Sequence, residues 1–317
     1  MQRLRNLLTN RGFLFGTLSY LGTLGILWRK PEFSGTDAIV ELLIFGFGLS
    51  LLAWWTTQRA KPLVVAIHPT ALEMLGLAVY VVALSLYLAF GPQLVDSWLP
   101  RQWIDSEKIL FFVALAKKLI VFVILPFVFF GPLCGYTARD FGWQKAGLRE
   151  LYRSHLSVVL VLSGAILALQ YFLGGGAAPI REGKISTHQL LFGVPLCFAW
   201  LAIEAGLVEE FFFRALLQSR LSAWFQSEIT GIALMAMIFG LAHAPGFIFR
   251  HAGMVEGLGA NPSALDAIAY SIVTLAVSGV FFGIIWARTK NLFALVLIHA
   301  ATDLLPNLAG FVRTWGL

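Results

Sequence analysis

The chain has 317 residues, of which 58% are hydrophobic and only 13% charged. Soluble proteins run at roughly 45–50% and about 25%, so charges this sparse could not cover a water-soluble fold, and the hydrophobicity excludes disorder. The net charge of +6 is spread over many short segments, which argues against a nucleic-acid partner and fits loop charges that orient membrane spans.

The expected fold is all-α: a polytopic membrane helical bundle with eight or nine transmembrane helices. A bilayer core about 30 Å thick needs roughly 20 apolar residues per helix. In chain order, the first three runs cover 12–28, 42–58 and 74–95. The fourth, 119–137, extends back to Ile109 if Lys117 and Lys118 are tolerated inside it. A fifth lies within 154–180 and meets the flexible Gly174-Gly175-Gly176, and 189–218 follows as one long span with charges in its last third. The runs 229–243, 267–287 and 292–309 complete the set. Arg3, Arg5 and Arg11 flank the start of the first run, and no Ala-x-Ala cleavage pattern follows, so an uncleaved span is expected. Lysine and arginine counts over the loops favour a cytoplasmic N-terminus. Cys134 and Cys197 lie far apart with no Cys-x-x-Cys spacing and are expected to pack as ordinary side chains.

Ionisable groups inside hydrocarbon cost roughly 2.5–3.5 kcal/mol each on insertion scales, so retained ones usually have a task. They concentrate in the C-terminal third. Within Leu207-Val208-Glu209-Glu210-Phe211-Phe212-Phe213-Arg214, Glu210 and Arg214 stand at i and i+4 and share a helix face. Glu209 points about 100° away from Glu210, leaving it without a partner in its own helix. A carboxylate desolvated in this way is suited to accept a proton. A second group, Phe239-Gly240-Leu241-Ala242-His243, ends a charge-free run before Pro245. A third holds His299 and Asp303, again at i and i+4, where the aspartate can orient the imidazole or both can reach one ligand. At about 1.5 Å per residue, Glu209, His243 and His299 all reach middle depth in a bilayer.

Glu-Glu-x-x-x-Arg, then Phe-x-x-x-His, then His-x-x-x-Asp on successive apolar helices resembles the CPBP family. These are the CAAX protease and bacteriocin-processing (Abi) intramembrane endopeptidases. The likeness runs from Gln189 to Leu305 and includes Gly279, Gly283, Arg288 and Asn291 ahead of His299. It implies that Glu209 and His243 activate a water for attack on a peptide bond, that His299 and Asp303 face the oxyanion, and that Glu210 and Arg214 support them, with Phe239 beside His243. Most described enzymes of the family carry Asn where this chain has Asp303, and an ionised aspartate cannot donate to an oxyanion. The resemblance divides the chain into helices of unassigned role over 1–188 and catalytic helices over 189–317. It also implies a multi-pass protein of a prokaryotic inner membrane acting on membrane-associated or lipid-modified peptides.

Rival intramembrane proteases fit badly: there is no His-Glu-x-x-His, no Gly-x-Gly-Asp, and no glycine two residues before Ser34, Ser163 or Ser278. The expected chemistry requires no cofactor, although two histidines and a carboxylate could hold a zinc ion. Two other classes use the same residues: a non-catalytic peptide-binding or immunity protein of the same fold, and a proton-coupled transporter. Intact Glu209, His243 and His299 favour the enzyme, and no internal repeat supports the transporter. Glu41, Glu73 and Glu204 lack motif partners and are expected to be structural or interfacial. His68, His155, His188 and His251 are expected to be solvated or interfacial.

Overall fold

A computed structural model describes residues 7–248, 258 and 262–317, with the side chains of Pro92 and Gln93 set aside. Arg3, Arg5, Arg250 and His251 lie outside the described residues. The described chain is helical and contains no strand, as the apolar runs predict. Eight helical stretches among the described residues are long and apolar enough to cross a membrane. They are α2 (Gly35–Thr56), α3 (Ala71–Gly91), α4 (Glu107–Cys134), α5 (Ala138–Leu173), α6 (Thr187–Trp224), α7 (Glu228–Ile248), α8 (Ala264–Thr289) and α9 (Leu292–Trp315). A shorter apolar helix, α1 (Arg11–Leu27, 17 residues), precedes them. The protein is an integral, multi-pass membrane protein.

The chain forms two compact units that interleave along the sequence, so each takes segments from both sides of residue 189. The first comprises 1–54, 66–97 and 216–287. Its core gathers Tyr20 and Leu27 of α1 with Ile272, Val273 and Val277 of α8. Hydrocarbon offers little hydrophobic drive between helices, so small residues that let backbones approach carry the packing. Gly279 and Gly283 of α8 do this: a methyl on Gly279 would lie 2.9 Å from the Ala236 backbone of α7. The buried charges of this unit are paired, with Arg220 Nε donating to Glu73 Oε1 at 2.6 Å. Glu73 thus has the structural role expected for it.

The second unit comprises 55–65, 98–215 and 288–317, which brings α4, α5, most of α6 and α9 together. Its apolar core includes Cys197 and Leu201 of α6 with Ala300, Leu304 and Leu308 of α9. His155 departs from the solvated position expected of it. It is fully buried at the start of the α5 apolar run, where Asn291 Nδ2 lies 2.9 Å from its Nδ1. Span-end proximity in sequence did not reveal that the residue faces inward onto another helix terminus.

Candidate active site

The Glu-Glu segment lies in the middle of α6, between two stretches of the wider π geometry, Ala202–Leu207 and Glu210–Gln218. The three phenylalanines that follow are all buried and anchor this part of the helix. Phe211 stacks on Phe141 at 5.2 Å, and Phe212 packs edge-on against Phe122 of α4 at 5.4 Å. Gly206, one turn before the glutamates, allows α6 to touch α9. A Cβ there would stand 2.7 Å from the Val296 carbonyl oxygen, and the glutamates therefore arrive beside His299, one turn beyond Val296.

On α9 the start of the helix is fixed by Asn291. Its side-chain oxygen accepts from the Phe293 and Ala294 backbones, and its amide donates to the Gly147 carbonyl at 2.9 Å. Further along, Pro306 sits inside the helix. Lacking an N–H, it leaves the Thr302 carbonyl without its usual donor. Gln170 of α5 supplies one instead, Nε2 to O at 2.5 Å. Two polar side chains on neighbouring elements thus set the height of the turn that carries His299 and Asp303.

Within this unit, Glu209, Glu210 and Asp303 surround a single imidazole. His299 Nδ1 lies 2.5 Å from Glu210 Oε1, which also accepts from Arg214 Nη1 at 2.9 Å. A carboxylate can only accept, so Nδ1 carries a proton and donates to Glu210. The other ring nitrogen, Nε2, faces Asp303 Oδ2 at 3.4 Å and Glu209 Oε2 at 3.8 Å. The adjacent glutamates point in different directions, as helix geometry requires, yet both reach the same ring from opposite sides. They also differ in access: the Glu210 side chain is completely buried, whereas 19% of the Glu209 side chain is exposed.

Phe239 and His243 belong to α7, in the first unit. His243 Nδ1 lies 2.8 Å from the Phe239 carbonyl, which as an acceptor requires Nδ1 to be the donor and leaves Nε2 for other partners. The rings of Phe239 and His243 approach at 4.8 Å. Among the described residues no three His, Cys, Asp or Glu side chains are grouped as metal ligands.

Two features of the second unit carried no sequence signal. Lys118 of α4 forms an ion pair with Glu204 of α6, one turn before Glu209. Next to this pair opens a cavity of about 470 Å3, lined by apolar side chains such as Leu110, Phe111, Trp200 and Phe311, with Glu107, Glu204 and Arg313 also on its wall. Only an i, i+4 pattern is legible in one helix, and Lys118 and Glu204 are 86 residues apart.

Residues 190–305 match the model of a family described as Type II CAAX prenyl endopeptidase Rce1-like. That segment coincides with the one in which the motifs resemble CPBP enzymes, and it contains all the candidate site residues. No curated protein and no solved structure matches the chain.

Proposed function

We propose that this chain, Rce1-like over residues 190–305, is an intramembrane endopeptidase that hydrolyses a peptide bond in a membrane-anchored, CAAX-type substrate. The observation that carries the reading is the division of labour between adjacent glutamates. Glu210 is locked between Arg214 and His299 Nδ1, so it serves as an anchor. Glu209 has no such lock, remains accessible, and stands 3.8 Å from Nε2, too far for a direct hydrogen bond. It is the group able to take a proton from a water.

In the proposed reaction, Glu209 removes a proton from water as the oxygen attacks the peptide carbonyl carbon. Negative charge then gathers on the carbonyl oxygen. Collapse of the tetrahedral intermediate breaks the C–N bond, and Glu209 returns its proton to the leaving amine. His299, held by Glu210 at Nδ1, meets the developing charge as an imidazolium, through its Nε2–H. Asp303, as a carboxylate, orients this imidazole instead of donating to the oxyanion. His243 is assigned a share in water activation by its motif position. No cofactor enters these steps.

The cavity beside Glu204, lined largely by apolar side chains, has the size and lining to receive the chain of a lipid-modified peptide. The test is cleavage of a farnesylated peptide with a C-terminal CAAX sequence, in liposomes that contain the purified chain, with mass spectrometry locating the broken bond. Wild type should release the C-terminal fragment and Glu209→Gln should not. Equal release by both proteins would refute the assignment.

A further inference from the structure

We infer that Lys118 is a positioning residue for this hydrolysis, holding positive charge on the side of the cluster where Glu209 and Asp303 face His299 Nε2. The inference rests on the peptidase reading above. Lys118 lies within the α4 span, and its ammonium donates to Glu204 Oε1. A lysine inside a membrane span is costly to place and is retained where it has a task. The pair is only partly buried, with 39% of the Lys118 side chain exposed, and a neutral pair could join α4 to α6 without placing a charge inside the span.

The charges around the ring explain why a cation is needed there. Helix α6 contributes Glu204, Glu209, Glu210 and Arg214; α9 contributes His299 and Asp303; α4 contributes Lys118. Arg214 is bonded to Glu210, the carboxylate on the Nδ1 side, and its charge also acts on Glu209. On the Nε2 side two carboxylates converge, at 3.8 Å and 3.4 Å. The Lys118 ammonium is held by Glu204, about one turn before Glu209 on α6, which brings its charge into the field of Glu209 and Asp303.

Attack on a peptide carbonyl adds negative charge beside these carboxylates, and an ionised Asp303 would oppose it. A fixed ammonium offsets that repulsion. Because the new charge exists in the transition state and not in the bound substrate, the benefit appears in kcat and leaves KM almost unchanged. Glu204 holds the ammonium in place, and the cavity wall to which it belongs brings the substrate chain past the pair.

The test uses full-length protein in liposomes with the farnesylated CAAX peptide as probe. Lys118→Met should lower kcat about tenfold or more with KM within about threefold of wild type. Lys118→Arg keeps the charge and should retain most of kcat. The double variant Lys118→Met, Glu204→Gln removes the pair as a neutral unit, which repairs any folding defect left by a lone carboxylate. It should nevertheless stay slow. Wild-type kcat in the double variant would show that the pair only joins two helices and would overturn the inference, as would an Arg variant no faster than Met. Glu209→Gln in the same assay separates the two levels. If it is inactive while both Lys118→Met proteins turn over normally, only the role of Lys118 falls. If it turns over normally, the assignment of Glu209 as the base falls and this inference with it, and if wild type does not cleave the peptide the peptidase reading itself falls.

Discussion

Glu210 holds His299 by its Nδ1 at 2.5 Å while remaining bonded to Arg214, so one buried carboxylate ties α6 to α9 across 89 residues of sequence. This bond determines which imidazole nitrogen faces Glu209 and Asp303. It also makes Glu210 and Glu209, neighbours in sequence, opposites in role: one is enclosed by two partners, the other is open.

Removing the buried cation should therefore damage the fold before it damages the chemistry. Arg214 and Glu210 are both completely buried. Deleting one member of such a pair costs about 3–5 kcal/mol, because the remaining charge is uncompensated. Arg214→Ala should lower both the folded yield and the thermal midpoint in detergent. Normal yield and midpoint would show that the pair is peripheral.

Gly206→Ala offers a sharper case, because two effects oppose each other. Replacing glycine in a helix interior gains about 1 kcal/mol in propensity. The added methyl, however, would stand 2.7 Å from the Val296 carbonyl oxygen, a backbone atom that cannot swing aside. Overpacking of this kind costs about 1–3 kcal/mol, so destabilisation should win. The separation of α6 and α9 also sets the distance between Glu209 and His299, and a misplacement near 1 Å can cost about a hundredfold in rate. The expected result is a modest fall in thermal midpoint with a much larger fall in turnover. Proportionate losses would argue against a positioning role for this contact.

The helical stretches, the Glu210–Arg214 pair and the His299–Asp303 pair were legible in the sequence because each depends on spacing within one helix. Apolar runs of membrane length and i, i+4 neighbours are local properties. The Glu210–His299 bond, the Lys118–Glu204 pair and the Gly206–Val296 contact depend on which faces of separate helices meet. No periodicity in one segment encodes that choice. His155 illustrates the same limit: it lies at the start of an apolar run, and its burial against Asn291 of another helix depends on tertiary packing. The rescue of the Thr302 carbonyl by Gln170 is half-legible, since Pro306 announces a missing donor but not its replacement.

Asn291 should prove costly to lose. It caps α9 and also donates to the Gly147 carbonyl while contacting His155. An N-cap is worth about 0.5–2 kcal/mol, and a buried group left without its partner adds about 1–3 kcal/mol. Asn291→Ala should thus destabilise by about 2–4 kcal/mol in denaturant or thermal unfolding. Asn291→Asp keeps the capping oxygen but not the amide donors, so it should fall between wild type and Ala. Equal stability of Asp and Ala would assign the whole effect to the lost amide donors, and equal stability of Asp and wild type would assign it to the cap.

The last prediction concerns how the water is activated. Glu209→Gln preserves size but cannot accept a proton, so turnover should fall by about 10²–10⁴ with folding and peptide binding intact. His243→Ala tests the assignment made by motif position and should lower turnover while leaving the thermal midpoint near that of wild type. A metal ion offers a different route to the same nucleophile, by making a bound water more acidic. The two routes respond oppositely to chelation. A zinc enzyme loses activity when the ion is stripped and regains it when zinc is restored. A water activated by Glu209 is indifferent to chelator. Activity of the wild-type protein on the farnesylated peptide should therefore persist after exhaustive treatment with a chelator that leaves the fold unchanged by circular dichroism. Loss of activity that zinc reverses would replace the glutamate-activated water with a metal-bound one, and Glu209 would then need a different role.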